Sequence, residues 1–463
     1  MPIRIYNTLT DKKEDFKPIK ENSVSMYVCG ITPYDFVHLG HARAYVVFDI
    51  VKRHFIARRY EVAHIQNFTD IDDKIINRAK EQNLKTSELA QIYIDDYFEQ
   101  TDKLNILRAS QYPKVTENIA TIIDFIKVLE EKNYAYKKDG DIYFDVEKFE
   151  GYGKLSNRKL ADLRAGARVE VNENKKSPFD FALWKKSKEN EPDEVCWDSP
   201  WGKGRPGWHI ECSVMSCGIL GDTIDIHGGG LDLVFPHHEN EIAQSEAKSG
   251  STFVRYWMHN GFVTVNKEKM SKSLGNFFAL KDILKVYDPR AVRYYLLTQH
   301  YRTPLDFSDE SLNAAKNALQ GLDDAYLKLV QAVEESANTI KDQDLLALEK
   351  AFLESLDDDF NSERALSFLH EIKNLILNEL FKSPPERLSQ IKTLYEKCAD
   401  YSLGILLPEN SADENLEMLL NDRNEARKNK KWSEADRIRK AIEEKGYKIT
   451  DNPDGTSSLT KKL

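Results

Sequence analysis

The 463-residue chain has no apolar run approaching the roughly 18 to 20 residues that a membrane span needs. Its opening, MPIRIYNTL, lacks the basic stretch leading into an apolar core that marks a secretory signal, so a cytoplasmic location is the expectation. Cysteine is sparse. Five residues at 29, 196, 212, 217 and 398, scattered and odd in number, argue against a disulfide framework and leave metal binding or catalysis open. A basic excess is also missing, since 66 Lys and Arg stand against 76 Asp and Glu for a net charge of −10. The whole chain therefore lacks the footprint of a nucleic-acid binder, although residues 421–463 carry twelve basic against eight acidic residues. There is no internal repeat. With 41% hydrophobic and 31% charged residues, the composition is that of a globular protein, and the length calls for two to four domains.

SVSMYVC (23–29) alternates apolar and polar residues and reads as a strand stopping at Gly30. From His41 the apolar positions Ala44, Val47, Phe48, Val51 and Phe55 recur at helical spacing, and EVAHIQNF (61–68) is a second strand. Strand, helix and strand make a βαβ unit, which implies a parallel sheet with a ligand crevice beyond the strand C-termini. Residues 74–135 read as largely helical. DGDIYFDV (139–146) and the Gly- and Arg-rich run GYGKLSNRKLADLRAGARVEV then suggest a small irregular insertion. TIDIHGGGLDL (223–233) reads as another buried strand ending in a glycine loop, and PHHENEIAQSEA opens a helix. Beyond about residue 310 the pattern is helical, as in ALSFLHEIKNLILNEL (365–380), which predicts a bundle; LPENSADENLE (407–417) is a polar linker into a small C-terminal unit.

Two motifs bear on chemistry. HLGH (38–41) puts two imidazoles and Gly40 at a helix start, where unpaired N–H groups and the dipole favour phosphate. NKEKMSKSLGN (266–276) crowds Lys267, Lys269 and Lys272, cations able to neutralise charge on a leaving pyrophosphate. Taken singly, each is equally a polar helix start or a solvated loop. In this order, HLGH and KMSKS resemble the paired signatures of class I aminoacyl-tRNA synthetases. TPYDFVHLGHAR, NFTDIDDKII, RPGWHIECSVMS, GGGLDLVFPHHENEIAQSEA and KMSKSLGN further resemble segments of the cysteinyl-tRNA synthetase family.

The resemblance implies an α/β fold, a Rossmann-type doubly wound parallel sheet with an insertion, followed by an α-helical bundle and a small C-terminal anticodon-binding domain. The expected divisions are 1–120 and 206–255 for the two halves of the catalytic domain and 121–205 for the insertion. The KMSKS-bearing region is then 256–310, the bundle 311–406 and the anticodon module 415–463. It implies Zn2+ held by Cys29, Cys212, His237 and Glu241, two thiolates, an imidazole and a carboxylate suited to a tetrahedral site. His238 with Glu241, or Cys217 in place of Cys212, are alternatives that spacing leaves open. Cys196 and Cys398 read as buried without function, and Asp70, Asp72 and Asp73 as structural.

The implied reaction activates L-cysteine with ATP and Mg2+, releases pyrophosphate and transfers the cysteinyl group to tRNA(Cys). His38 and His41 would handle phosphates, with Thr32 and Gly40 beside them and Lys269 and Lys272 on the pyrophosphate. Gly30, Thr69, Trp208 and Asp232 would line the amino-acid pocket, with packing an alternative for Trp208. Arg427, Trp432, Asp436 and Asp451 fall on the family's anticodon positions. Shape alone would separate cysteine from serine by only about 1–3 kcal/mol, whereas a soft metal bonding the thiolate widens the gap and makes an editing domain unnecessary. A monomer is expected. The alternative within the same chemistry is a cysteine ligase that needs no tRNA, against which the C-terminal segment argues; a zinc hydrolase would leave HLGH and KMSKS without a role.

Overall fold

The structure, a computed structural model, describes residues 2–158, 175–189, 191–265, 268–269, 278–333, 336–337, 339–406, 414–428, 431–444, 447–451 and 457–461. Its centre is a four-stranded parallel sheet with the order Val254–Asn260, Ile224–Gly230, Ser23–Val28, Glu61–Gln66. Both faces are covered, and Val24, Met26, Val28, Ile224 and Ile226 are fully buried, as parallel strands require. Helix Leu39–Ala57 makes the crossover from Ser23–Val28 to Glu61–Gln66. Helices Trp208–Leu220 and Glu239–Ser249 flank the strand Ile224–Gly230 in sequence. The crossover helix begins at Leu39 rather than at His41, because His38 takes the capping position. It packs so closely on the sheet that a β-carbon at Gly228 would fall 2.1 Å from the Phe48 ring.

The stretch expected to be an irregular insertion contains a regular antiparallel sheet. Ala135–Lys138, Asp141–Phe144, Phe181–Lys186 and Gly204–Pro206 pair in that order, and Ile142, Phe144, Leu183 and Trp184 are buried. Its strands are short and its central pair is distant in sequence, so local alternation does not reveal them. Asp70, Asp72 and Asp73 have structural partners. Asp70 accepts from the Thr116 backbone and hydroxyl, Asp72 caps helix Asp73–Gln82, and Asp73 pairs with Arg205 and Lys185.

Beyond the sheet, helices Asp309–Ala332, Gln343–Asp357, Ser362–Glu379 and Pro385–Glu396 pack around Leu319, Leu322, Phe352, Leu369, Ile376 and Leu394. A buried ionic knot joins this bundle to the crossover helix. Asp49 binds Arg53 at 2.8 Å and also Arg293, which donates to the carbonyls of Leu403 (2.7 Å) and Leu104 (2.9 Å). The C-terminal unit is two helices, Glu414–Lys428 and Trp432–Glu444, and the hairpin Tyr447–Asp451/Ser457–Lys461, closed over Ile438, Ile442 and Ile449. Among the described residues, no helix is long and apolar enough to cross a membrane.

His64, on the edge strand, is buried, and neither ring nitrogen has a hydrogen-bond partner among the described residues. Burial, aided by Lys52, pushes its pKa down to about 3. The unfolded chain binds the proton near pH 6.5, so this group's contribution to stability is present above that pH and drains away as the pH falls toward 3. Urea unfolding at pH 7 and pH 5 should therefore cost the parent about 2 kcal/mol more than His64→Leu; equal losses in the two proteins would contradict the assignment.

Candidate metal centre and adjoining cleft

The four parallel strands bring polar residues toward the carboxyl edge of the sheet: Cys29 directly after Ser23–Val28, Asn67 directly after the edge strand Glu61–Gln66, His227 in the middle of Ile224–Gly230 and His259 next to last in Val254–Asn260. The N-terminal parts of helices Trp208–Leu220 and Glu239–Ser249 add Cys212 and Glu241, and His237 and His238 come from the turn just before the second of these helices. Ligand atoms of Cys29, Cys212, His237 and Glu241 lie within 4.8 Å of one another. The Cys29 and Cys212 sulfurs are 3.9 Å apart, Cys29 Sγ is 3.8 Å from Glu241 Oε1, and His237 Nε2 is 3.1 Å from the same oxygen. Arms of about 2.3 Å to sulfur and about 2.0–2.1 Å to nitrogen or oxygen give tetrahedral edges of about 3.3–3.8 Å, so this donor set fits a zinc-sized ion. Cys217 is in neither grouping of candidate ligands, whereas Cys212 is in this one. Cys398 is buried and Cys196 half-buried, both away from it.

A second grouping, Cys29, His227, His238 and Glu241, shares two members with the first. Here the hydrogen bonds separate the roles. His227 Nε2 holds Oε2 of Glu241 at 2.8 Å, leaving Oε1 toward His237 and Cys29. His238 lies 3.3 Å from Cys29 Sγ, and its other nitrogen meets His259 at 2.8 Å, which in turn meets Thr8. His209 Nδ1 meets His237 Nδ1 at 3.0 Å and so fixes the ring that presents Nε2 to the cluster. His209, His227 and His259 were not picked out from the sequence. Their signal was a lone histidine within a buried strand, or three residues before Cys212.

The electrostatics of the cluster call for a cation. Burial opposes charge on His237, but Glu241 and Cys212 outweigh it and raise its pKa to about 10. Burial likewise favours protonated Glu241, and His227 and His237 overcome it to hold the carboxyl at about 2. Hydrogen bonding from Cys29 lowers the Cys212 thiol, whereas burial and Cys212 raise that of Cys29. The Glu241 carboxylate and the Cys212 sulfur thus draw a proton onto His237, in the place where a metal ion would balance them.

A cleft of about 590 Å³ opens beside the cluster, lined by Cys29, Gly30, Thr32, Trp208 and Asp232 and by His38, Gly40 and His41. Gly30 is required here: its N–H donates to Asn67 Oδ1 at 3.0 Å, and a β-carbon would fall 1.6 Å from the Asn67 carbonyl oxygen. The partly exposed Trp208 ring lies 4.2 Å from that of His237. Thr69 is buried and does not line the cleft; its hydroxyl donates to Glu211 at 3.1 Å. His38 and His41 cap the helix reciprocally: Nδ1 of His38 accepts from the His41 N–H at 3.2 Å, and Nδ1 of His41 from the His38 N–H at 3.4 Å, with the rings stacked 3.6 Å apart. A neutral imidazole that accepts at Nδ1 carries its proton on Nε2, so the cap sets the tautomer of both rings.

Lys267 and Lys272 lie outside the described residues; Lys269 ends the short strand Glu268–Lys269, paired to Val263–Val265. In the C-terminal unit, Arg427 and Asp451 are bonded to each other at 2.6 Å, and Asp451 also holds Arg423. The Arg423 guanidinium keeps the Asp451 carboxyl well below the usual range. Trp432 and Asp436 are exposed four residues apart on one helix.

Residues 15–317 match the family described as tRNA synthetases class I (C) catalytic domain. The chain is 66% identical to "Cysteine--tRNA ligase" of Endomicrobium trichonymphae, with all of both chains covered. It is 48% identical to the protein of that name from Clostridioides difficile (strain 630), covering 98% of this chain and 99% of the relative. Among solved structures it is similar to Mycobacterium tuberculosis methionyl-tRNA synthetase in complex with methionyl-adenylate, at 15% identity and a TM-score of 0.60, with 87% and 94% of the two chains covered. It is also similar to an Agrobacterium radiobacter K84 LeuRS in a ternary complex, at 13% identity and a TM-score of 0.61, covering 84% and 85%.

The donor geometry predicts one Zn2+ per chain by elemental analysis, lost in Cys212→Ser and kept in Cys217→Ser. In chelator competition, His227→Ala should weaken retention about 10- to 100-fold, as expected when the support of a ligand is removed. Full zinc in Cys212→Ser would move the site elsewhere.

Proposed function

The chain belongs to the cysteine--tRNA ligase family of class I tRNA synthetases and joins cysteine to tRNA at the expense of ATP; from that premise we propose how its residues divide the work. The observation that carries the reading is the shared cleft, with the thiol-bearing cluster at one end and the capped helix start at the other. Cys29, Cys212, His237 and Glu241 hold Zn2+, while His209 and His227 orient two of these ligands. Bound there, zinc supplies a soft acceptor that takes a thiolate far better than a hydroxyl and so separates cysteine from serine. Gly30 leaves room for the substrate, Trp208 walls it in, and Asp232 stands at the cleft as a partner for its ammonium group. Thr69 acts through Asn67 and Glu211.

At the other end ATP lies along Thr32, His38, Gly40 and His41, its Mg2+ carried on the nucleotide. The Nε2 protons set by the cap donate to phosphate oxygens, and the helix N-terminus adds its own positive field. The cysteine carboxylate attacks the α-phosphate, pyrophosphate leaves against Lys269 and Lys272, and the cysteinyl group passes to the 3′-terminal ribose of tRNA(Cys) with release of AMP. The catalytic domain corresponds to 1–120 and 206–255, the insertion to 121–205, the KMSKS-bearing region to 256–310, the tRNA-binding bundle to 311–406 and the anticodon module to 415–463. In the last, Trp432 and Asp436 face the anticodon directly, and Asp451 sets the angle of Arg427. The enzyme works as a monomer in the cytoplasm.

Cysteine-dependent exchange of labelled pyrophosphate into ATP, with serine as control, tests the first step, and charging of tRNA(Cys) tests the second. Exchange should require cysteine, and serine should support less than a thousandth of the rate; exchange without charging would favour the tRNA-independent ligase. His41→Ala should lower kcat of exchange about 100- to 1,000-fold, the usual effect of deleting a donor to a charged transition state. Trp432→Ala should raise the tRNA KM in charging roughly tenfold, the magnitude of one lost base–aromatic stack; an unchanged KM would place the anticodon elsewhere.

A further inference from the structure

Three consecutive aspartates lie at the end of helix Gln343–Asp357, and each holds a different part of the molecule. Asp357 binds His54 at 2.9 Å and Arg58, both on the crossover helix side; Asp358 binds Arg4 and Lys13 of the N-terminal hairpin at 2.5 and 2.7 Å. Asp359 is fully buried. It accepts from the Tyr6 N–H (2.8 Å), the Tyr301 hydroxyl (2.7 Å) and Arg302 Nε (2.9 Å), with His300 at 3.5 Å. Asp359 and Phe360 both take left-handed backbone conformations, with φ of 64° and 51°, and Phe360 is pinned between the rings of His54 and Phe55. A left-handed Phe is rare and persists only where its surroundings over-determine it.

The segment that Asp359 grips is also held by Arg43, two residues after the HLGH motif. One buried guanidinium donates to the carbonyls of Thr303 (2.7 Å), His300 (3.2 Å), Tyr301 (3.4 Å) and Leu296 (3.4 Å). The far wall of the cleft hangs on this same segment. Gly261 N–H donates to the Tyr301 carbonyl at 2.8 Å, a β-carbon at Gly261 would fall 2.8 Å from the Arg302 carbonyl oxygen, and Leu305–Phe307 pairs in parallel with Val263–Val265. Neither Arg43 nor Asp359 is among the residues lining the cleft.

We propose that Asp359 and Arg43 are positioning residues for the nucleotide end of the cleft: both clamping residues 300–303, they set the spacing between the HLGH helix start and the Gly261–Val263 wall. The inference rests on the reading that ATP occupies this end. Loss of either clamp then loosens ATP, not cysteine, whose sulfur site is built from Cys29 after the strand Ser23–Val28 and from helices Trp208–Leu220 and Glu239–Ser249 with the turn that precedes the second.

The test is the KM for ATP and for cysteine, measured separately by pyrophosphate exchange well below the thermal midpoint of each variant. Asp359→Asn keeps the shape and tolerates the left-handed backbone, and Tyr301→Phe deletes a single hydrogen bond should the first variant fold poorly. Both should raise the ATP KM about five- to tenfold and leave the cysteine KM within twofold. Arg43→Lys, which cannot span the same carbonyls, should do at least as much. Asp358→Asn, in the same turn, should leave the ATP KM within twofold. An ATP KM unmoved in Asp359→Asn and Tyr301→Phe, or a parallel rise in both KM values, would overturn the inference and reduce the clamp to ordinary stability. Absence of cysteine-dependent exchange in the parent would instead overturn the nucleotide reading and the inference with it.

Discussion

The fully buried carboxylate of Glu241 has His227 on one oxygen and His237 on the other, and much of the site follows from satisfying it. A carboxylate taken out of water is tolerated only when it is paired and hydrogen-bonded, so both imidazoles must be delivered to fixed points. The parallel sheet delivers His227, and the register of its strands brings Cys29, His227 and His259 near one another although they are far apart in the chain, while the turn before helix Glu239–Ser249 delivers His237. The helix that bears Glu241 is itself fixed from the insertion side. Glu239 accepts from the Ser156 backbone and hydroxyl, and Tyr152 donates to Asn240 at 2.6 Å. The insertion is therefore part of what holds the cluster in place.

A short loop links Cys29 to the capped helix, so one connection joins the cluster to the helix start that borders the cleft. Rigidity comes from charge as much as from apolar packing. Asp49, Arg53 and Arg293 lock the middle of the crossover helix to the bundle, and Arg43 locks its first turn to residues 296–303. Such buried ions are expensive unless they are paired and hydrogen-bonded, and here the guanidiniums of Arg293 and Arg43 donate largely to backbone carbonyls. The geometry of the reacting groups is thus tied to the bundle, the part of the molecule that belongs to tRNA in the proposed division of labour.

The legible part of the sequence was what repeats or clusters locally. The βαβ unit showed because strand alternation and helical spacing are short-range signals, and HLGH with KMSKS showed because each is contiguous. The four proposed ligands were named from the family resemblance, and spacing could not separate Cys212 from Cys217; what sequence does not carry is the approach of the Cys212 sulfur to that of Cys29. His209, His227 and His259 escaped because a single polar residue in an apolar run carries no period, and its meaning appears only when the strand ends meet. The insertion sheet escaped for a related reason, its pairing spanning residues 144–181. Thr69 and Asp451 illustrate the opposite case: their positions match the family, and their side chains bond within the protein to Glu211 and to Arg423 and Arg427, pairings that no local pattern announces.

The central claim is that the buried cluster recognises the substrate through its sulfur. Replacing the metal with Co2+ makes this visible, because a new thiolate ligand adds charge-transfer absorption in the near ultraviolet and alters the ligand-field bands. Titration of the cobalt-loaded protein with L-cysteine should add one thiolate's worth of intensity at a stoichiometry of one per chain, and L-serine should add none. A spectrum unmoved by saturating cysteine, in protein that still exchanges pyrophosphate with it, would contradict the account.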